Sequence, residues 1–180
     1  MWVPDHVCVV LGQSNVCRSS LNLVAVERDG IPVYQRPSGG EAVVLTSEML
    51  VISVRESRDR LTSPQLVFNA YNRKIIAALE GLGVTHLSLR GISDIALEEK
   101  KILGSAIYRK TGMVFFHAVL NVSQPPDIFE RYLAHPAREP DYRRGRSHLD
   151  FVTSLSACGH PVEMGRLREA IEAVWISVPR

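Results

Sequence analysis

The chain has 180 residues, 46% of them hydrophobic and 22% charged, enough to bury one substantial core as a single domain. Its formal charge of +2 at pH 7 is too small to imply nucleic acid, and no apolar run approaches the ~20 residues that cross a bilayer. Three cysteines, Cys8, Cys17 and Cys158, odd in number and without metal-type spacing, predict reduced thiols and exclude a disulfide framework or zinc site. The opening Met1-Trp2-Val3-Pro4-Asp5-His6 lacks the basic and apolar regions of a targeting segment. A cytoplasmic globular protein is expected, with no membrane or nucleic-acid partner.

In chain order, the apolar, β-branched runs at 7–11 and 31–35 read as strands around a helix at 21–28, which Asp29-Gly30 ends. Residues 42–45 and 49–54 read as two further strands joined into a hairpin by Thr46-Ser47-Glu48. Thr62-Ser63-Pro64 then supplies a cap and a first-turn proline. Leu66, Val67, Ala70, Tyr71, Ile75, Leu79 and Leu82 share one face of the helix that follows, closed by Gly83.

Residues 86–89 form a strand, and 101–109 with 114–122 a hairpin turning through Lys110-Thr111-Gly112. A short helix at 127–133 leads into a Pro- and Arg-rich surface loop at 134–148. The last helix, 164–175, presents Leu167, Ala170, Ile171 and Val174. Hairpins interleaved with helices predict an α+β domain with a mostly antiparallel sheet covered by helices.

Two segments carry chemistry. The loop Arg36-Pro37-Ser38-Gly39-Gly40 lies between strands, where glycines let backbone N–H groups approach phosphate or carboxylate, and Arg36 is a permanent cation able to clamp it; the same loop could be a simple tight turn. On the 101–109 strand, Lys101 precedes Gly104-Ser105-Ala106, small residues that leave room beside an ammonium. Such a charge can hold an acyl carbonyl oxygen and stabilise negative charge as it develops. His117, between Phe116 and Ala118, reads equally as a core histidine or a site residue.

Taken together, these segments resemble the lipoate-protein ligase and octanoyltransferase family. Gly12-Gln13-Ser14-Asn15 is similar to the family's early turn, Gly30-Ile31-Pro32-Val33 to the lead into its glycine loop, and Ser93-Asp94 to the pair before its lysine. Phe116-His117 resembles its aromatic-His pair, and Arg146-Ser147-His148 with Phe151-Val152-Thr153-Ser154-Leu155 its late segment. The similarity spans roughly residues 7–175.

The resemblance implies the biotin and lipoate ligase catalytic fold, with Lys101 as catalytic residue and Arg36, Ser38, Gly39, Gly40, Asp94, Gly104, Ser105, Ala106 and His117 binding substrate or nucleotide. It implies attachment of lipoate or octanoate to a lysine of a lipoyl domain, of a 2-oxoacid dehydrogenase or glycine-cleavage protein, through an acyl-adenylate made from ATP with Mg²⁺. Arg138, Arg143, Arg144 and Arg146 are then a docking edge for that acidic domain. An alternative is octanoyl transfer from an acyl carrier protein, with no cofactor and Cys158 as nucleophile beside Lys101.

Glu41 stands where the resemblance expects a third glycine, Leu45 where it expects histidine, and Ala118 where it expects glycine. These departures leave open a non-catalytic binding protein. The chain also reads as a catalytic domain without the family's leading helix and C-terminal accessory domain, the latter a possible separate partner.

Overall fold

A computed structural model describes residues 1–57 and 63–176. The chain runs β1 (Cys8–Leu11), α1 (Cys17–Ser20), α2 (Leu23–Arg28), β2 (Val33–Gln35), β3 (Val43–Leu45), β4 (Met49–Ser57) and α3 (Pro64–Gly81). It continues with β5 (Leu87–Arg90), β6 (Asp94–Leu97), β7 (Lys100–Lys110), β8 (Met113–Asn121), α4 (Asp127–Tyr132), α5 (His148–Phe151), a 3₁₀ turn (Ser156–Cys158) and α6 (Met164–Ile176).

The large sheet has the order β4-β8-β7-β6-β5, antiparallel at every pair. A small sheet, β2-β1-β3, is parallel between β1 and β2 and antiparallel between β1 and β3. The mostly antiparallel α+β architecture is therefore as expected. The hairpin expected of 42–45 and 49–54 does not form, because β3 joins β1 while β4 crosses to β8. Thr46-Ser47-Glu48 thus carries the chain between sheets.

Period-two alternation assigns the faces of the large sheet. Leu50 and Ile52 of β4, Leu103 of β7 and Phe116, Ala118 and Leu120 of β8 enter the main core with α3 and α6, where Ile75, Leu79, Leu167 and Ile171 are fully buried. Each such side chain contributes about 2 kcal/mol of transfer free energy. On the opposite face, Val51 and Val119 meet Cys8, Val10, Val43 and Leu45 of the small sheet. The small sheet's outer face, Val9, Leu11 and Val44, is covered by α2 and α4 through Val26, Phe129 and Tyr132.

Several local expectations change. The 21–28 helix is two pieces, because Leu21 is extended and Asn22 caps α2 by accepting from Ala25 N–H. In α3, Phe68 and Asn72 are buried while Leu66 and Ala70 are exposed, so the buried stripe is rotated toward the sheet. Pro64 opens that helix, with Ser63 at the N-cap making no side-chain cap bond; Thr62 lies outside the described residues. Strand β6, absent from the sequence reading, separates β5 from β7 and carries Asp94. No helix among the described residues is long and apolar enough to cross a membrane.

Candidate functional site

An open cleft of about 1530 Å³ lies between the two sheets, lined by the cavity-facing residues of β4, β7 and β8, by loop 36–41 and by residues 136–141. Lys101 reaches it through a register break. Asp94 pairs with Gly104 and Ile95 with Leu103, but Ala96 pairs with Lys101, leaving Ile102 as the extra residue of a β-bulge. In a regular strand Lys101 and Gly104 would face opposite sides; here Ile102 and Leu103 both enter the main core, and Lys101 and Gly104 share the cleft face. The Lys101 Nζ lies 2.8 Å from Asp94 Oδ1. A Cβ at Gly104 would stand 2.9 Å from both Lys101 Cε and Nζ, so glycine is what lets the ammonium lie flat on the sheet. Ala106 continues this small-residue floor.

Loop 36–41 faces that floor. Arg36 is half-buried and four of its five N–H groups bond its own loop and strand. Nε donates to Ser38 Oγ at 3.1 Å, one terminal nitrogen to the Val10 carbonyl, and the other to the carbonyls of Gly39 and Glu41. Arg36 is therefore a staple, which corrects the expectation that it clamps phosphate. The backbone N–H groups of Gly39, Gly40 and Glu41 donate to no acceptor among the described residues. They form the anion-receptive part of the loop. Gly12 packs on this loop so closely that a Cβ there would meet the Gly40 carbonyl at 1.9 Å. Asn15 Oδ1 accepts from Gly12 N–H, and Asn15 Nδ2 donates to Glu41, which steadies the carboxylate beside the free N–H groups.

Ser38, 1% exposed, joins Arg36 to His117, whose Nε2 lies 3.0 Å from Ser38 Oγ. Arg36 has only hydrogens to give, so the serine accepts from it, while the direction of the Ser38–His117 bond goes with the imidazole tautomer. The other ring nitrogen, Nδ1, is buried and has no partner among the described residues. Burial first, then the Arg36 charge, pushes the His117 pKa down to about 4, so the ring is neutral at pH 7. His117 lines the cleft, on the face occupied by Phe115 and Val119.

Other expected site residues fall elsewhere. Ser105 lies on the helix face of β7; its hydroxyl donates to the Ser93 carbonyl at 2.7 Å and accepts from Asn72 of α3. Its side chain fastens the sheet to α3, although the residue also borders the cleft. Cys158 is not among the residues lining the cleft; its Sγ lies 3.4 Å from Thr153 Oγ1 and it packs on the main core. The structure therefore does not bring Cys158 and Lys101 together as a dyad. Among the described residues no group of three or more His, Cys, Asp or Glu is placed to hold a metal ion.

The arginine-rich loop also divides. Arg143 is 4% exposed, stacked over Phe151, with Nε donating to the Arg146 carbonyl; Arg146 stacks on the same ring and donates to the carbonyls of Glu99 and Tyr142. Only Arg138 and Arg144 are exposed, which corrects the four-arginine docking edge. The sequence reading missed Tyr142, whose hydroxyl donates to Asp94 Oδ2 at 3.0 Å. A tyrosine in an aperiodic loop carries no pattern that could have revealed it.

Comparison with known proteins matches residues 1–175 to the model of the lipoyl protein ligase A/B catalytic domain. The chain is similar to the lipoate-protein ligase LplJ of Bacillus subtilis, 31% identical over 67% of this chain and 35% of that protein. It is also similar to the octanoyltransferase LipM of Brevibacillus brevis, 25% identical over 94% of this chain and 69% of that protein. Among solved structures, the bipartite lipoate protein ligase of Thermoplasma acidophilum, described with its E2 lipoyl domain, superimposes with a TM-score of 0.82 at 23% identity, over 94% of this chain and 66% of that one. The chain spans about a third to a half of the length of the curated ligases it matches.

Proposed function

Because the chain belongs to the lipoyl protein ligase A/B catalytic-domain family, we propose that it is the catalytic domain of an enzyme attaching lipoate or octanoate to a lysine of a lipoyl domain, through an acyl-adenylate. The observation carrying this reading is the Lys101 ammonium, laid on a glycine floor beside Asp94, in one cleft with the free N–H groups of loop 36–41.

The acyl chain lies over Val10, Val43, Leu45, Val51 and Val119, the apolar part of the cleft. Its carboxylate points at Lys101 and attacks the α-phosphorus of ATP; the mixed anhydride forms as pyrophosphate leaves. Mg²⁺ bound to the nucleotide would offset phosphate charge; among the described residues no group of three or more His, Cys, Asp or Glu is placed to hold it on the protein. The acceptor amine then attacks the acyl carbonyl, loses a proton, and AMP departs. In both steps Lys101 stabilises charge developing on oxygen. Neutral His117 and Ser38 border the site without adding a competing charge. The exposed Arg138 and Arg144 receive the acidic acceptor domain, with the cytoplasm as the proposed site of action.

The test incubates the protein with a lipoyl domain and either octanoate plus Mg-ATP or octanoyl carrier protein, with and without a separately expressed accessory domain, and weighs the product. Modification with ATP, lost by about a hundredfold or more in Lys101→Met, is expected. Modification only with the carrier, abolished by Cys158→Ser, would replace the ligase with the transferase reading. No modification in any mixture would leave a non-catalytic binding protein, with Glu41 beside the anion-receptive loop as the physical cause.

A further inference from the structure

The geometry points to Tyr142 as a positioning residue that couples loop 134–148 to the Lys101 ammonium through the carboxylate they share. Asp94 is 6% exposed. Its Oδ1 pairs with Lys101 Nζ at 2.8 Å and its Oδ2 accepts from the Tyr142 hydroxyl at 3.0 Å. One buried carboxylate thus holds a strand lysine and a loop tyrosine at once, and a change at either partner alters the bond to the other.

Tyr142 is itself built in. It is 9% exposed, its ring packs 4.9 Å from Phe151, and the Arg90 guanidinium lies over it at 6.0 Å. Burial, then the Asp94 charge, raises its phenol well above the usual range, so it stays a donor. The loop has two further anchors near the same strands. Pro140 sits where a Cβ on Gly91 would approach within 3.0 Å, and Arg146 donates to the Glu99 carbonyl in the turn that leads into β7. Residues 136–141 line the cleft. The wall they form is therefore fastened to β6 and to the β6–β7 turn, the segments that aim Lys101. Without Lys101, Asp94 loses one of the two partners that fix its carboxylate, and the bond to Tyr142 is less well held in place.

Tyr142→Phe keeps the ring and its packing while removing only the hydroxyl. The test is limited trypsin digestion without substrate, following cleavage after the exposed Arg138 and Arg144 relative to the exposed Arg18. Tyr142→Phe should raise loop cleavage about tenfold, the worth of one hydrogen bond to a charged group when cleavage tracks local opening. Lys101→Met should raise it several-fold, and the double variant should be cleaved no faster than Tyr142→Phe, since both act through Asp94.

Wild-type cleavage in either single variant, or rates that multiply in the double, would overturn the coupling. The digestion uses no substrate, so it stands apart from the ligase reading on which the positioning role rests. In the ligation assay Tyr142→Phe should lower kcat about tenfold and leave the KM for the acyl acid within about twofold, because the hydroxyl acts through Lys101's position. A variant with wild-type kcat would refute the role.

Discussion

Ser38→Ala removes one oxygen and leaves two nitrogens without partners. Ser38 Oγ accepts from Arg36 Nε at 3.1 Å and is hydrogen-bonded to His117 Nε2 at 3.0 Å, in a residue 1% exposed. The Arg36 bond involves a charged donor and the imidazole nitrogen loses its only protein partner, so the combined cost is about 3 kcal/mol. For a chain of this size that lowers Tm by roughly 10 °C. Urea denaturation at pH 7.5 should show the midpoint falling with an unchanged m-value. Imidazole nitrogen NMR should show the His117 Nε2 resonance shifting as its hydrogen bond to Ser38 is lost. A double-mutant cycle with His117→Leu should give a coupling of about 1 kcal/mol. A Ser38→Ala variant within about 0.5 kcal/mol of wild type, with an unchanged imidazole spectrum, would refute the Arg36–Ser38–His117 chain of bonds.

His117 also predicts acid sensitivity. The unfolded chain takes up the proton near 6.5 and the folded chain only near 4, so this contribution to stability is complete above 6.5 and is lost as pH falls from there toward 4. The shift corresponds to roughly 3 kcal/mol, discounted for partial exposure to about 2 kcal/mol, and His117→Phe should flatten the urea midpoint against pH in that window; an equal slope in the variant contradicts it. Gly104→Ala places a methyl against the flexible end of Lys101, so it should spare the fold but cost about a hundredfold in ligation by displacing the ammonium; wild-type turnover would show that Lys101 need not lie there. Arg143→Ala should destabilise by about 2 kcal/mol through its lost stacking and hydrogen bond. Arg144→Glu should change stability by less than about 0.5 kcal/mol yet slow association with an acidic lipoyl domain, most at low salt; the opposite pattern in a binding-rate and melting comparison would reverse their assignments.

The elements of longest range in sequence were readable because their periodicity is repeated. The β7–β8 hairpin carries nine or more residues on each side and a glycine turn, and the final helix shows its buried stripe in four positions. The segment 42–54 was misread because local alternation states that a strand exists and says nothing of its neighbour. Pairing β3 with β1 is decided by burial of Val44 and Leu45 against residues far away in the chain. At the site, the resemblance pointed to Lys101, Ser38 and His117, which all border the cleft, but not to their bonds. Whether Arg36 reaches outward or staples its own loop depends on where three carbonyls and one hydroxyl happen to lie. Ser105 shows the same limit: its place in a small-residue run is visible in sequence, whereas its face depends on the β7 register.

That register gives Ile102 a role out of proportion to its chemistry. Sheet faces obey parity, and one supernumerary residue between Asp94's partner and Ala96's partner changes the parity of everything before it. Pairing the same sequence without the bulge would keep every polar group of the cleft in the chain and still send the Lys101 ammonium into the apolar core under α3, whereas deleting Ile102 would leave plain alternation with Lys101 and Gly104 still on the cleft face. Which solvent the lysine meets is thus set by the strand register, and the bulge that absorbs an isoleucine with no functional group decides the sidedness of a charge.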